Sequence, residues 1–307
     1  MPATPNVYGH DGLDRLVERR LDTEWFHQML THDATRFVIG WQQRLPVIDT
    51  ADGPRLAGAD HRALDGLVVG LPVLLGAIDE AVHVAIDASA SDEDALLAAL
   101  APGARFAELR EIGGLLSGAE ASMAASHRAV LLWHAAQRYC GACGAPTLAA
   151  EAGHTLICTN SECGVTHHPR TDPAAITLVM NAAGDRVLLG RNGRRPGAVF
   201  SCFAGFVEAA ESLEGAAARE VFEEAGVRLA AVRYHSSQPW PFPGQLMVGF
   251  IGTAASDEIH IDNEEIAEAR WFTRDELRAI TPDGPLQLPR RDSVSRRMID
   301  GWISGEA

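Results

Sequence analysis

Between Gly205 and Val227 runs the segment G-F-V-E-A-A-E-S-L-E-G-A-A-A-R-E-V-F-E-E-A-G-V, which constrains the fold more tightly than any other stretch. Its second half is rich in Ala, Glu and Arg, strong helix formers, and stops at Gly226, the residue type that ends helices in the left-handed conformation. On a helix, Glu220, Glu223 and Glu224 stand at i, i+3 and i+4, so one face carries three carboxylates. Like charges at that spacing cost about 0.2–0.5 kcal/mol per pair. A solvated acidic helix tolerates this cost. A hard divalent cation such as Mg2+ or Mn2+ reverses it, because such ions take carboxylate oxygens as ligands. Spacing alone leaves both readings open. Arg219 and Glu211 can pair and hold the preceding loop against the helix, and Leu213, Ala217, Val221 and Phe222 offer apolar contacts on other faces.

A second constraint is the cysteine pattern. Of five cysteines, four fall as Cys140-x2-Cys143 and Cys158-x4-Cys163. Two close pairs joined by a short hairpin can bring four thiolates to one tetrahedral Zn2+. All four positions are thiols and no coordination site is left open, which favours a structural metal, one zinc ion per chain. Four reduced, unliganded thiols, or a mixed site using His154, His167 or His168, are the alternatives. Cys202 sits in the apolar run Phe200-Ser-Cys-Phe203 and reads as core.

Composition removes whole mechanisms. All 26 basic residues are Arg, so Schiff-base chemistry, nucleotidylation on Lys and the phosphate loop ending in Gly-Lys have no residue to use. The net charge of −15 argues against general nucleic-acid binding, with Arg194-Arg195 and Arg290-Arg291 as local exceptions. No apolar run reaches membrane-spanning length and no leader pattern opens the chain; the reading is a cytoplasmic protein that makes no membrane contact.

The expected organisation has four parts. Residues 1–116 form a small α+β domain with apolar runs at Leu67–Val73 and Val82–Ile86 and an acidic helix start at Ser91–Asp94. A bridging helix over 117–138 opens on a capping box, Ser117 with Glu120. A metal ribbon follows over 139–168. In 169–307, Ala175–Met180 and Arg186–Gly190 flank a Gly184-Asp185 turn as a hairpin, Leu246–Ile251 is a strand, Thr273 and Glu276 form another capping box, and Ser293–Ser304 is a closing helix.

Beyond the acidic helix stands Ser237-Gln-Pro-Trp-Pro-Phe-Pro243. Its three prolines stiffen a loop that displays Trp240 and Phe242, rings suited to stacking on a base or on nicotinamide.

The whole pattern Gly205-x5-Glu211-x7-Arg219-Glu220-Val221-x-Glu223-Glu224-x-Gly226-Val227 matches the Nudix box, and with the four-Cys ribbon and SQPWPFP the chain resembles the NADH pyrophosphatases, the NudC-type Nudix family. The resemblance implies an α/β class fold. A catalytic Nudix α/β/α sandwich around a mixed sheet is preceded by a zinc ribbon and a smaller N-terminal Nudix-like α+β domain. It implies hydrolysis of NADH and NAD+ to NMNH or NMN plus AMP, the same cleavage on NAD-capped RNA 5′ ends, and a homodimer. By resemblance Glu220, Glu223, Glu224, Arg219 and Glu211 form the catalytic set. The Ala204 carbonyl, Glu220, Glu223, Glu224 and Glu265 would hold about two to three Mg2+ or Mn2+ ions, with Glu264 competing for the place of Glu265. Substrate contacts fall on Arg110, His168, Phe206, Gln238, Pro239, Trp240, Pro241, Phe242, Pro243, Gly244, Gln245 and Ser295.

The chain departs from the family pattern at three points. Gln245 stands for a Ser, His168 for a Tyr, and the second cysteine pair is widened. A Nudix enzyme for ADP-ribose or a dinucleoside polyphosphate is the alternative activity. A non-catalytic nucleotide sensor is a third, disfavoured because no box carboxylate is missing.

Overall fold

The computed structural model describes residues 5–10, 12–194, 197–261, 265–281 and 283–306. Arg195 and Glu264 lie outside them. The chain divides into two units: residues 1–170 together with Pro241–Gly244, and Thr171–Trp240 together with the segment from Gln245 onward.

In the first unit, β1 (Arg36–Gly40), β2 (Arg44–Thr50), β3 (Gly53–Leu56), β4 (Val73–Ile78), β5 (Ala81–Asp87) and β6 (Arg105–Glu108) form two three-stranded sheets, ordered β1-β5-β4 and β3-β2-β6. They are accompanied by the α-helices α1 (Thr23–Met29), α2 (Glu93–Ala99), α3 (Leu109–Ile112) and α4 (Gly118–Ala136). Phe37, Ile39, Trp41, Leu74, Val84, Ile86 and Leu96 make its core. Of the apolar run Leu67–Val73 only Val73 is in a strand; Val68 and Leu71 are exposed, as Gly70 and Pro72 interrupt the run. The acidic helix start is capped by Asp92, whose carboxylate accepts from the amides of Asp94 and Ala95.

At α4 only half of the expected capping box forms. Ser117 Oγ accepts from the Glu120 amide at 3.3 Å, but the Glu120 side chain is buried and turned to the Leu56 amide (3.2 Å) and Ser117 Oγ (2.8 Å). A tertiary partner has outcompeted the local one.

The ribbon adds β7 (Thr147–Ala150), β8 (Thr155–Cys158) and β9 (Thr166–His167), hydrogen-bonded in that order.

The second unit is built on β10 (Asp172–Met180), whose residues alternate between two cores. Ile176 and Leu178 face one side and Ala175 and Val179 the other. Around it lie β11 (Arg186–Asn192), β12 (Phe203–Phe206), β13 (Leu229–Trp240), β14 (Gln245–Ala254) and β15 (Ile266–Thr273), in the order β13-β14-β10-β11-β15, with β12 pairing along the first half of β10. β10 and β14 run parallel and the other pairs antiparallel, so the sheet is mixed. One face is covered by α5 (Leu213–Ala225) through Ala216, Ala217, Val221 and Ala225. The other is covered by α6 (Arg274–Arg278) and α7 (Val294–Ser304), through Leu277, Met298, Ile299 and Trp302. This is the expected α/β/α sandwich. The hairpin, its Gly184 turn at φ +71°, the Thr273–Glu276 capping box and the closing helix capped by Ser293 also form. Phe222 differs from its expected apolar packing. It is 43% exposed, with the Arg228 guanidinium 4.5 Å from its ring centre.

Candidate active site

Helix α5 begins at Ser212, whose Oγ accepts from Gly215 N, and ends at Gly226 in the left-handed conformation (φ +69°). Arg219 organises the face that carries the glutamates. Its guanidinium holds Glu211 bidentately (2.8 Å to each oxygen), Glu220 (2.7 Å), Glu223 (2.9 Å) and the Phe206 carbonyl (2.8 Å). The Glu208 amide also donates to Glu211 at 3.0 Å. These bonds, Arg219 first, hold the Glu211 carboxyl at about 2. The loop before α5 is thereby tied to the helix by charge-assisted bonds.

Glu224 lies on the inward side, where one carboxylate oxygen accepts from the Ala204 amide of β12 at 3.0 Å. Burial, then the facing charges of Glu220, Glu265 and Glu223, push it up to about 8 against that amide's pull. Glu220 is raised as well, first by burial and then by Glu223 and Glu265, against Arg219. Gly205 explains itself here, since a Cβ would overlap the Glu220 carboxylate. Glu265, just before β15, accepts from Asn192 Nδ2 (3.3 Å) and lies 3.9 Å from Arg194. Four carboxylates from α5 and the β15 approach thus face one another, with Arg219 as their principal cation. Carboxylate oxygens are the donor type that hard divalent cations take, and the Ala204 amide ties β12 to the group through Glu224.

Other expected site residues take different places. Phe206 is 54% exposed beside the Arg219 clamp. Ser237–Trp240, read as loop, is the end of edge strand β13, where prolines are tolerated because one row of amides needs no partner. Gln245 begins β14, opposite Trp240 and Asp172. Gln238 and Ser295 are both buried.

In the first unit, the Arg110 guanidinium lies 3.9 Å from the ring centre of Phe242, and Tyr8 meets the same ring edge-on at 6.3 Å. Arg128, which no motif flagged, donates to the Pro241 carbonyl (2.9 Å) and to the carbonyl and side-chain oxygens of Gln43. The peptide between Phe242 and Pro243 is cis. His168 is exposed. Arg290, one of the arginines considered for RNA, is held by Asp292 at 3.0 Å.

The ribbon's four thiols converge, all sulfurs lying within 4.8 Å of one another. The pairs Cys143–Cys158 and Cys140–Cys163 are 3.4 and 3.8 Å apart; a tetrahedral zinc with Zn–S near 2.3 Å sets its sulfurs about 3.8 Å apart. Each sulfur accepts from the amide two residues on, that of Ala142, Ala145, Asn160 or Val165. Those amides stabilise thiolates, and the site is a structural zinc site. His154 instead meets the Leu74 carbonyl at 2.6 Å, which takes it out of the metal set. Cys202 is buried in the core, its thiol pushed up to about 12 by burial.

Comparison with known proteins agrees with this architecture. Residues 170–295 match the NUDIX domain, residues 34–133 the NADH pyrophosphatase-like rudimentary NUDIX domain, and residues 135–167 the NADH pyrophosphatase zinc ribbon domain. The chain is 32% identical to the NAD-capped RNA hydrolase NUDT12 of Macaca fascicularis and 31% identical to that of Homo sapiens, in each case over 97% of this chain and 73% of the relative. It is 42% identical to the NAD-capped RNA hydrolase NudC of Mycobacterium bovis over 66% of this chain and 67% of that one. The chain belongs to the NADH pyrophosphatase branch of the Nudix hydrolases. It is therefore a hydrolase of the Nudix class, one that needs a divalent metal and carries a zinc ribbon. No helix among the described residues is long and apolar enough to cross a membrane.

Proposed function

We propose that this enzyme hydrolyses the diphosphate bond of NADH and NAD+, releasing AMP with NMNH or NMN, and makes the same cut in NAD-capped RNA. The observation that carries the reading is the self-repelling carboxylate group Glu220, Glu223, Glu224 and Glu265, held on one side by Arg219 and standing in a chain whose relatives are named NAD-capped RNA hydrolases. We assign the divalent ion as Mg2+ or Mn2+, with Glu220, Glu223, Glu224, Glu265 and the Ala204 carbonyl as its holders.

The chemistry such ions supply when bound is neutralisation of the diphosphate oxygens and acidification of the attacking water. The chain's own part is positional and basic. Arg219 fixes the rotamers of Glu220 and Glu223, and Glu211 fixes Arg219. One glutamate of Glu220, Glu223 and Glu224 takes the proton from the attacking water. Phe206 and Trp240 offer rings to the base and nicotinamide, and Arg110 and Phe242 are assigned to substrate binding as well. The division at 1–116, 117–138, 139–168 and 169–307, a homodimeric state and a cytoplasmic location complete the reading.

The test is incubation of purified protein with NADH and Mn2+, with products identified by chromatography, then kcat/KM on NADH and on NAD-capped RNA. AMP and NMNH are expected. An intact dinucleotide with ADP-ribose cleaved instead overturns the assignment. Light scattering and metal analysis decide the dimer and the ion.

A further inference from the structure

Helix α7 opens on a corner that is bonded from two directions. Gln238, 1% exposed, sends Nε2 to the Asp292 carbonyl at 2.7 Å and accepts the Val294 amide on Oε1 at 2.7 Å. Ser295, 3% exposed, accepts the Cys202 amide on Oγ at 3.1 Å and lies 2.9 Å from Ser201 Oγ. The Asp292 carboxylate is pinned by Arg290, and Ser293 caps the helix through the Arg296 amide at 3.2 Å.

Both bonded segments lead straight to the site. Two residues beyond Cys202 stands Ala204, whose amide holds Glu224 and whose neighbour Gly205 packs on Glu220. Two residues beyond Gln238 stands Trp240, on the same face of β13 because side chains alternate and the register there is unbroken. A buried carboxamide engaged at both ends cannot turn to a ligand without leaving a buried carbonyl or amide unpaired.

We propose that the Asp292–Ser295 corner is the common anchor of both walls of the site, and that Gln238 and Ser295 are positioning residues, Gln238 setting Trp240 and Ser295 setting the Ala204–Gly205 strand. This rests on the diphosphatase reading, and neither side chain touches substrate.

The experiment compares Q238A, W240A, the double variant and S295A with wild type. Q238A is expected to raise KM for NADH about tenfold with kcat within about threefold, the pattern of a misplaced binding wall. In the W240A background the same change adds less than about twofold, because Gln238 acts through Trp240. Amide exchange, which needs no substrate, is expected to quicken in Q238A and S295A alike at residues 201–204 and 237–240. Additive KM effects would mean that Gln238 contacts substrate. Quickening confined to each variant's own strand, or an unchanged KM, overturns the shared anchor. Should Q238A fail to fold, Q238E keeps the acceptor for Val294 and replaces it in every arm. Wild-type protein that leaves NADH intact refutes the diphosphatase reading alone, and the exchange arm still decides the anchor.

Discussion

Gly205→Ala separates catalytic placement from stability. The position is not in the left-handed region, so alanine adds a methyl without backbone strain. That methyl overlaps the Glu220 carboxylate, which Arg219 holds at 2.7 Å. The carboxylate must therefore withdraw by on the order of 1 Å, and a misplacement of that size in an active site costs about a hundredfold in rate. Stability moves little. Alanine is favoured over glycine in a strand by about 0.5–1 kcal/mol, while weakening a partly exposed ion pair costs up to about 1 kcal/mol; the two nearly cancel. The assay is kcat on NADH across a Mg2+ titration, with a thermal melt of the same protein. The expected result is kcat down about a hundredfold, weaker metal activation and a Tm within a few degrees of wild type. Unchanged kcat and metal response would refute the steric argument, and a melt lowered by more than about 8 °C would show that the loss is unfolding.

Glu224→Gln keeps the shape and the oxygen that meets the Ala204 amide but removes the charge, and is expected to lower turnover at least about a hundredfold; near wild-type turnover would remove Glu224 from the machinery. Chelator-washed wild-type protein should retain a zinc ion per chain, and Cys143→Ser should lose it and lower Tm; a serine variant with full zinc content would mean that three thiolates suffice. His127, buried on α4 with Nε2 3.1 Å from the Val38 carbonyl, is pushed down to about 4 by burial. Between pH 6.5 and 4 the unfolded chain binds a proton that the native state refuses, so stability falls as pH drops through that window, by up to about 3 kcal/mol. His127→Gln should flatten the loss of Tm between pH 7 and 5, and equal slopes in the two proteins would exclude His127 as its source.

The site was legible where its chemistry is local in sequence. Helix α5, its stop at Gly226, the Glu211–Arg219 pair and the four thiols all follow from spacings of a few residues. What stayed hidden depends on partners far along the chain. Arg128 and Pro241 are 113 residues apart, and Gln238 meets residues 54 and 56 positions later. The proline-rich stretch misled in part, because edge strands accept proline as readily as loops do, and the half-formed capping box at Ser117 shows a distant amide taking a side chain from its local role.

The ribbon's thiols tolerate unequal spacing. Every sulfur is served by an amide two positions downstream, so each cysteine carries its own small cradle and owes little to the distance separating it from its pair. Between Cys158 and Cys163 the Asn160 carbonyl closes the widened turn onto the amides of Cys163 and Gly164 at 3.0 and 2.9 Å. The four-residue gap of the second pair is thus absorbed by one local turn, and the four sulfurs still converge.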